Sequence, residues 1–424
     1  MFLMKPLVLF LFSILVMFFV IAGCKRSNPP AAMSVVSLQK PKVSVNVILE
    51  TSASMQGYLN GSQFKSDVTN FIAELDKMSK DTTGLVIDSV KYFASVIKNN
   101  IPRFEPISCT AYDFNTKILT GKIATGSTSP IDDIVNKLVD EHSQNKISIL
   151  ISDFVVNIKS PSIIPAIQSR FNTIFNNAPK KNLAVSLYRL TSDFSGIYYP
   201  SFGKSFKAPN KVTRPYFIWV LGDKNNLISF RRQIERSPVF KPLQEAQLGF
   251  GSSKIPFDIL YYSNSPEGRF RFKNGEFTNV SLKNNNLKIT LGVDLNSIPK
   301  YAREISYLQQ NKDASSASCN INYCNIYPHS VLGSRFHPKD KAHSHYIEVS
   351  VSQFRLDKNI VHLGLKNKPI DLDSLSTNDD SNLNQGNNLK TFLLKEIITG
   401  MQNAYGELNS DSNYFNFDLI INKN

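Results

Sequence analysis

Apolar runs alternate with segments of helical spacing along residues 43–236. The runs that predict strands, rich in β-branched and aromatic residues, are residues 43–49, 84–95, 147–151, 183–190 and 216–221. The segments that predict helices are residues 67–80, 130–141, 162–176 and 225–235. Because such alternation is typical of parallel strands joined by helices, we expect a doubly wound, mainly parallel α/β sheet over residues 43–236.

Two of these runs are almost continuously apolar. Residues 147–151 (ISILI) and 216–221 (YFIWVL) lack the regular polar alternation of a half-exposed strand. Continuous apolar runs are typical of parallel strands that are covered on both faces. We therefore expect both to be buried strands of this parallel sheet.

After residue 237 the pattern changes to short β-type runs separated by Asn, Lys, Ser and Gly. These runs are residues 258–262, 268–273, 287–293, 345–354 and 359–365. A helix is predicted over residues 389–405 and a last strand over residues 414–421. We expect a second, mainly β domain over residues 237–424, with a sandwich as its candidate architecture.

The N-terminal segment has the pattern of a secretory signal. Lys5 precedes an apolar run over residues 7–21, which is shorter than the roughly 20 residues that span a bilayer comfortably. Residues 21–24 (IAGC) resemble the lipobox of bacterial lipoproteins. The resemblance implies a signal peptide over residues 1–23, lipid attachment at Cys24 and a tether over residues 24–42.

This resemblance also implies a location. A protein acylated at Cys24 is anchored in the bacterial cell envelope, and the outer membrane is favoured because Lys25 replaces the aspartate associated with retention in the inner membrane. The alternative is an uncleaved signal anchor, which Lys25 and Arg26 favour because positive charge prefers the cytoplasmic side.

Composition and charge narrow the class of protein and of partner. The 424 residues are 42% hydrophobic and 11% aromatic, which is typical of globular domains. Lys plus Arg exceed Asp plus Glu by 48 to 34, a net charge of +14 that favours anionic partners. Because no run of Lys and Arg is interleaved with aromatic residues, we expect acidic proteins, envelope polymers or lipid head groups and no nucleic acid.

Oxygen-bearing side chains lie in three loops that adjoin predicted elements. Glu50 directly follows the first strand, Asp153 follows the strand at residues 147–151 after one serine, and Thr128 lies in a loop before a helix. Ligands of α/β sheets gather beyond the carboxyl ends of the strands. Carboxylate and hydroxyl oxygens there are suited to a hard divalent cation. Alternatively, the hydroxyls cap helices and the carboxylates face helix dipoles.

The segment Glu50-Thr51-Ser52-Ala53-Ser54 resembles a metal-ion-dependent adhesion site. In the von Willebrand factor A domain this site pairs an Asp-x-Ser-x-Ser loop with a distant threonine and a later aspartate. The resemblance covers residues 43–236 and implies the cation ligands Ser52, Ser54, Thr128 and Asp153, with Glu50 in place of the first aspartate. It implies Mg²⁺, or Ca²⁺ or Mn²⁺, and a protein partner whose Asp or Glu completes the coordination.

Two residues depart from that pattern. The longer side chain of Glu50 moves its carboxylate outward, so that it reaches the ion through water, shifts the preference to a larger cation, or leaves the site empty. Phe154 stands where the family usually has a small residue. The aromatic loop over residues 191–214 is either a rim that selects the partner or a flap that packs its own aromatic rings.

Cysteine and histidine cluster in the second half of the chain. Cys319 and Cys324 are candidates for a disulfide in an oxidising compartment, with Cys109 free. A zinc site is the alternative, although the histidines follow no regular ligand spacing. These histidines are His329, His337, His343 and His345.

The leading hypothesis from the sequence is a lipid-anchored, cell-envelope binding protein with a cation-dependent contact face. One alternative is a metal-free structural scaffold of an envelope complex, and the other is a metal-dependent hydrolase that uses the Cys/His-rich loop. The motif Ser62-x-x-Lys65 lacks the companion motifs of serine acyl-transfer enzymes. Residues 249–254 (GFGSSK) lack the full pattern of a phosphate loop.

Overall fold

Long strands and helices alternate in the first half of the chain, and shorter strands dominate the second. The computed structural model describes residues 42–423 except for residues 82–83, 100, 124–129, 157, 159, 202, 210–211, 253, 264–266, 369–370, 385 and 408–411. Cys24 and Thr128 therefore lie outside the described residues. Within this range no helix has both the length and the apolar character that crossing a membrane requires.

The elements are as follows. The helices in the described range are α1 (Met55–Leu59), α2 (Ser62–Lys80), α3 (Ala111–Thr120), α4 (Ile131–Asp140), α5 (Ile164–Phe175), α6 (Lys224–Ile234), α7 (Ile305–Asn311), α8 (His329–Leu332), α9 (Leu372–Leu375) and α10 (Leu394–Tyr405). The strands up to residue 248 are β1 (Lys42–Glu50), β2 (Val86–Lys98), β3 (Ile101–Ser108), β4 (Lys146–Ser152), β5 (Leu183–Phe194), β6 (Ile197–Tyr198), β7 (Phe206–Lys207), β8 (Val212–Asp223) and β9 (Gln244–Leu248). The later strands are β10 (Phe257–Ile259), β11 (Arg269–Lys273), β12 (Glu276–Ser281), β13 (Asn286–Val293), β14 (Lys312–Ser315), β15 (Asn320–Pro328), β16 (His345–Ser352), β17 (Lys358–Lys366), β18 (Ser376–Thr377), β19 (Thr391–Phe392) and β20 (Asn413–Asn422).

A seven-stranded sheet forms the centre of the α/β layer. Its strand order is β3-β2-β1-β4-β8-β5-β9. Strand β1 pairs in parallel with β2 and β4, and the other neighbouring strands pair antiparallel. Consequently β1, β2, β4 and β5 run in one direction and β3, β8 and β9 in the other. The expected mixture of helices and strands is confirmed, and the sheet itself is mixed.

Strand β8 corrects one expectation from the sequence. The apolar run at residues 216–221 lies in β8, which is buried but antiparallel to both β4 and β5. The connection from β5 to β8 contains only the short strands β6 and β7, whereas a parallel connection needs a crossover that usually contains a helix. The continuous apolar run therefore indicated that both faces of β8 are buried. The direction of β8 depends on its connection to β5, which contains no helix among its described residues.

The edge strand β3 was not predicted. It forms an antiparallel hairpin with β2, and Asn99 in the turn has the left-handed φ of 54° that asparagine tolerates. Its two prolines, Pro102 and Pro106, suit an edge strand because proline cannot donate a ladder hydrogen bond. These prolines hid the strand from a propensity argument.

Helices cover both faces of the seven-stranded sheet. Val43, Val45, Val47 and Leu49 of β1 share one core with α2, α3 and α6. Ile48 shares the other core with Leu150 of β4 and with α4, α5 and α10. The helix that follows β1 thus lies on one face, and the helix that follows β4 lies on the other. Adjacent strands whose connections leave to opposite faces form a crevice at their carboxyl ends.

Two elements beyond residue 236 belong to this α/β layer. Strand β9 extends the sheet at β5, and α10 packs against α5. At Gly400 a side-chain Cβ would lie 2.3 Å from the carbonyl oxygen of Gln168, so glycine permits the close approach of these helices. Residues Pro41–Asn424 accordingly form one compact unit.

Strands β10 to β17 and β20 form two further sheets in the part of the chain for which the sequence predicts mainly β structure. One sheet has the order β10-β13-β16-β15, and the other has the order β11-β12-β20-β17-β14. Both contribute to one hydrophobic core, in which Ile347, Val349 and Val351 of β16 are buried together. These three residues occupy every second position of β16, as expected for side chains on one face of a strand.

Candidate functional site

Glu50 and Ser152 end two adjacent parallel strands. In the register of β1 and β4, Leu49 is paired with Ile151, so the last residue of each strand stands beside the other. This position is the crevice between strands whose connecting helices lie on opposite faces. The loops that follow, residues 51–54 and 153–156, leave the sheet at the same edge.

Hydrogen bonds connect the end of β1 and the loop that follows it to the end of β4. One carboxylate oxygen of Glu50, Oε1, accepts from the backbone N–H of Ser52 at 2.6 Å, and the other, Oε2, accepts from the Ser152 hydroxyl at 3.4 Å. The Ser52 and Ser54 hydroxyls are 2.8 Å apart. Ser54 lies near enough to the Asp153 carboxyl group to oppose the rise in its pKa, so the loop after β1 lies beside the loop after β4.

Asp153 is held in a buried, mostly polar environment. Its Oδ1 accepts from the backbone N–H of Val155 at 3.2 Å, and only 3% of the residue is exposed. Burial raises the pKa of Asp153, and the hydrogen bonds from Ser54 and Val155 and the charge of Arg214 oppose that shift. Positive charge brought close to a buried carboxyl group stabilises its ionised form.

Phe154 packs in the core and holds the loop after β4 in place. It has a left-handed φ of 54°, which is rare for a bulky residue. Its ring stacks on Trp219, with 3.9 Å between the ring centroids, and its backbone N–H donates to the Ser152 hydroxyl at 2.9 Å. The departure from a small residue thus places an aromatic ring in the core without displacing Asp153 from the cluster.

Four of the five predicted ligands are brought together. Glu50, Ser52 and Ser54 are joined by hydrogen bonds in the loop after β1, Asp153 lies next to Ser54, and all four residues are buried. The fifth, Thr128, lies outside the described residues. Two carboxylates and two hydroxyls in contact supply the oxygen ligands that hard cations prefer, and they contain no strong nucleophile with an adjacent base.

Sequence reasoning missed a second set of charged residues beside this cluster. Arg214, at the start of β8, is buried and donates to the carbonyl oxygens of Asn387, Asn388 and Lys390 at 3.4, 3.3 and 3.2 Å. It also donates to the Tyr198 hydroxyl at 3.2 Å. The C-terminal segment at residues 387–390 is thereby fastened to the edge of the sheet that carries Glu50 and Asp153.

Asp380 completes this second set. Its carboxylate accepts from the Tyr198 hydroxyl at 3.1 Å and from the backbone N–H of Ser201 at 2.8 Å. Burial raises the pKa of Asp380, and its charge in turn raises the pKa of Asp153. Burial by itself lowers the pKa of Arg214, whereas the neighbouring Tyr198, Tyr58 and Asp153 side chains raise it by more. The pKa of Arg214 is therefore raised overall, and its guanidinium stays charged.

The aromatic loop between β5 and β8 packs largely on itself. Tyr198 contacts Phe194 and Phe206, with ring centroids 6.1 and 5.4 Å apart, and Phe194 and Tyr198 are buried. Tyr199 is partly exposed. Of the two interpretations of this loop, the described rings favour the packed flap.

Cys319 and Cys324 are not joined in the structure. Both are buried free thiols, and Cys324 lies within β15 while Cys319 directly precedes it. Five residues of extended chain at about 3.3 Å each separate their Cα atoms by about 16 Å, whereas a disulfide requires less than about 7 Å. A loop between them, which the disulfide prediction assumed, is replaced by a strand.

The histidines of that region do not converge on one point. His329 bonds to the Tyr346 hydroxyl at 2.5 Å, and His343 lies 3.0 Å from the Asp258 carboxylate. Among the described residues, no group of three or more His, Cys, Asp or Glu side chains is placed to hold a metal ion. The cluster at Glu50 is of a different kind, because it combines two carboxylates with serine hydroxyls.

Comparison with protein-family models, with curated proteins and with solved structures finds no match to this chain.

Proposed function

We propose that this chain is a lipid-anchored binding protein of the bacterial cell envelope, whose α/β layer holds a divalent cation and presents it to an acidic protein partner. Glu50, Ser52, Ser54 and Asp153 are the proposed ligands, together with Thr128. The observation that carries the proposal is the proximity of these four described side chains, all buried, at the carboxyl ends of β1 and β4. Ligands of α/β sheets gather at such places.

The strand order supports the likeness to a von Willebrand factor A domain. The run β3-β2-β1-β4, with helices on both faces, corresponds to the first four positions of a doubly wound sheet. Strand β8 is a departure, since it runs antiparallel between β4 and β5. This departure lies beyond β4, so the pair of strands that carries the cluster keeps its geometry.

The donor set fits a cation of the Mg²⁺, Ca²⁺ or Mn²⁺ type. All four side chains offer oxygen, and Asp153 is a buried carboxyl whose pKa is raised by burial, so positive charge nearby favours its ionised form. A bound cation supplies that charge and an open coordination position for an acidic group of the partner. Ser52 and Ser54 orient their hydroxyl oxygens toward one another, and Glu50 fixes the loop through the Ser52 N–H.

One observation favours a second candidate, the metal-free scaffold of an envelope complex. Glu50 is 1% exposed and Asp153 is 3% exposed, and the hydrogen bonds of these carboxylates and of Ser52 and Ser54 are made within the two loops and the strand ends. Such a cluster stabilises two adjacent loops without an ion. The partner of a scaffold then binds elsewhere on the surface, and the net charge of +14 favours an acidic one.

Calorimetric titration separates the two candidates. We expect saturable binding of Mg²⁺, Ca²⁺ or Mn²⁺ by the unmodified protein, and a loss of at least tenfold in affinity in Asp153→Asn, which keeps the shape but removes the charge. The exposed residue Asp140 supplies the matched control, Asp140→Asn, which should bind as the unmodified protein does. Equal titrations for the unmodified protein and Asp153→Asn argue for the scaffold.

The membrane anchor requires its own test. Metabolic labelling with a radioactive fatty acid should label the unmodified protein and leave Cys24→Ala unlabelled. Fractionation of the cells should then find the labelled protein with the envelope, and with the outer membrane in particular. Labelling that survives in Cys24→Ala removes the lipoprotein part of the proposal without affecting the cation site.

A further inference from the structure

The cluster at Glu50 is closed to solvent. Its described side chains, those of Glu50, Ser52, Ser54 and Asp153, are all buried, and Ser54, the most exposed of the four, is 7% exposed. A cation can enter such a site, and an acidic group can reach the cation, only if a neighbouring segment moves. Segments with little buried apolar surface open locally without unfolding the rest of the molecule. A segment of that kind beside the cluster is therefore a candidate gate.

The chain between β18 and β19, the 378–390 loop, has little buried surface. Of its described residues, 378–384 and 386–390, only Asp380 and Leu383 are buried. The two ends of the loop are held together, because β18 and β19 pair in parallel and the backbone N–H of Leu393 donates to the carbonyl oxygen of Thr377 at 2.9 Å. Compact surface loops with adjacent ends are frequently functional. The β18–β19 pair supplies a hinge on which this loop can move while its ends stay fixed.

Asp380 connects the 378–390 loop to the chain that follows β4. Its carboxylate accepts from the backbone N–H of Ser201 at 2.8 Å, and the carbonyl oxygen of Ser201 accepts from the backbone N–H of Ile158 at 3.3 Å. Burial raises the pKa of Asp153, and the charge of Asp380 adds to that rise, so the two carboxyl groups are within electrostatic reach of each other. The 378–390 loop therefore lies beside the cluster at Glu50.

Further contacts of the 378–390 loop are also mostly polar. The guanidinium of Arg214 donates to three of its carbonyl oxygens, and the side chain of Asn388 donates to the carbonyl oxygen of Thr213 at 3.3 Å. Leu383 adds an apolar contact, in the core that also contains Met55, the residue after the first loop of the cluster. Water can replace the hydrogen bonds that an opening loop loses. Opening therefore exposes little apolar surface.

We propose that the 378–390 loop gates the cluster at Glu50. The loop opens on the β18–β19 pair, and the cluster is reached from solvent only while the loop is open. Closure of the loop depends on Asp380 and Arg214, which hold it by hydrogen bonds. The role of the gate in admitting a cation and the acidic group of a partner rests on the proposed function.

Hydrogen exchange of the full-length protein in detergent tests the gate. Gly386 lies in the 378–390 loop with a φ of 105°, and a Cβ there would meet no atom of the described residues within 4 Å. Gly386→Ala therefore strains the closed loop without touching the cluster. We expect exchange at residues 378–390 to become at least fivefold faster. Exchange of the Ser52 and Val155 backbone N–H groups, which bond to the carboxylates of the cluster, should become faster by a similar factor.

Gly275→Ala is the matched control. Gly275 has a φ of 82° in the turn between β11 and β12, and a Cβ there would likewise meet no described atom within 4 Å. This variant should leave exchange in the 378–390 loop and in the cluster unchanged. The proposal is overturned if Gly386→Ala speeds exchange in the loop alone, because the loop then opens without uncovering the cluster. Unchanged exchange at both places overturns it as well.

The rate of Mn²⁺ binding tests what the gate admits. The single tryptophan, Trp219, stacks on Phe154 beside Asp153, so bound Mn²⁺ should quench its fluorescence. Stopped-flow mixing should show association at least fivefold faster in Gly386→Ala than in the unmodified protein and in Gly275→Ala. Equal rates overturn the role of the loop as a gate for cations. Mn²⁺ that binds to none of these proteins overturns the proposed function, whereas the exchange result still decides whether the loop covers the cluster.

Discussion

At the scale of single residues, the carboxyl edge of the sheet contains more charge than a protein interior usually does. Glu50, Asp153, Asp380 and Arg214 are all buried there. Buried charges persist only when hydrogen bonds and opposite charges compensate their loss of water. Arg214 is central to this compensation, because it contacts Tyr198 and three backbone carbonyls and its charge lowers the pKa of both Asp153 and Asp380.

Replacing Arg214 tests this role. We expect Arg214→Gln to lower the free energy of unfolding by about 3–5 kcal/mol, because it leaves buried acceptors and carboxylates without their partner. Urea denaturation measures the change. Hydrogen exchange should show faster exchange at residues 387–392. Arg271→Gln, at an exposed position, should change stability by less than about 0.5 kcal/mol, and an equally small effect of Arg214→Gln would contradict the role assigned to it.

The sequence identified some of these residues and not others for a physical reason. Glu50 and Asp153 each come directly after an apolar strand, so the ends of the strands reveal them. Arg214 and Asp380 lie in segments without a recognisable local motif, and they meet only because the C-terminal chain folds back on the sheet. Contacts of that kind depend on tertiary structure, which periodicity does not report.

At the scale of elements, apolar periodicity predicted the main helices and strands, but not their neighbours. The helix at residues 389–405 was expected from its apolar stripe, yet nothing in that stripe shows that α10 packs on α5. The directions of β3 and β8 were also not evident from their composition. They follow from the tight β2–β3 turn and from the missing helix between β5 and β8.

The contact between α10 and α5 gives a prediction at Gly400. A Cβ there would lie 2.3 Å from the Gln168 carbonyl oxygen and 3.0 Å from the Cβ of Phe171. We expect Gly400→Ala to lower the thermal midpoint, with a cost of about 1–3 kcal/mol from overpacking, although alanine is the better helix former. Asn403→Ala, at an exposed position of the same helix, should be neutral or slightly stabilising. A stabilised Gly400→Ala would show that the two helices do not approach so closely.

Strand β16 gives a prediction about pH. Burial lowers the pKa of His345 from 6.5 to about 4. Because the unfolded chain then binds a proton that the folded chain does not, stability is full above about pH 6.5 and falls as the pH drops toward 4. We expect this residue to contribute up to about 3 kcal/mol to that loss.

The comparison with His345→Gln isolates this contribution. Denaturation curves at several pH values should show a smaller loss of stability between pH 6.5 and 4 in His345→Gln than in the unmodified protein. Asn403→Gln, at an exposed position of α10 without a titratable group, is the control and should keep the original pH dependence. Parallel curves for the unmodified protein and His345→Gln would mean that the histidine is not buried in its neutral form.

At the scale of the whole molecule, the α/β layer and the C-terminal chain depend on each other. The second core of the sheet includes Leu394, Ile397 and Met401 of α10, and the edge of the sheet is completed by β9. A break in the chain near residue 236 therefore removes part of the core of the α/β layer. This interdependence is not visible in the sequence, where the change of pattern at residue 237 suggests a separate domain.

Truncation tests this interdependence. We expect residues 42–243 expressed alone to lack a cooperative thermal transition, because the apolar face that α10 covers becomes exposed. Residues 42–424 should unfold in a sigmoidal transition under the same conditions. Adding residues 244–424 as a separate chain should restore the cooperative transition, because α10 then covers the apolar face again. A truncated chain with a cooperative transition would show that the α/β layer is independent.

Anomalous diffraction from Mn²⁺-soaked crystals of residues 42–424 shows whether the cluster at Glu50 binds a cation. We predict an anomalous peak at about 2.0–2.6 Å from oxygen atoms of Ser52, Ser54 and Asp153, and its disappearance in Asp153→Asn crystals. Mn²⁺ peaks that occur only at other positions, with Ser54 and Asp153 in their present arrangement, would contradict the proposed cation site and favour the metal-free scaffold.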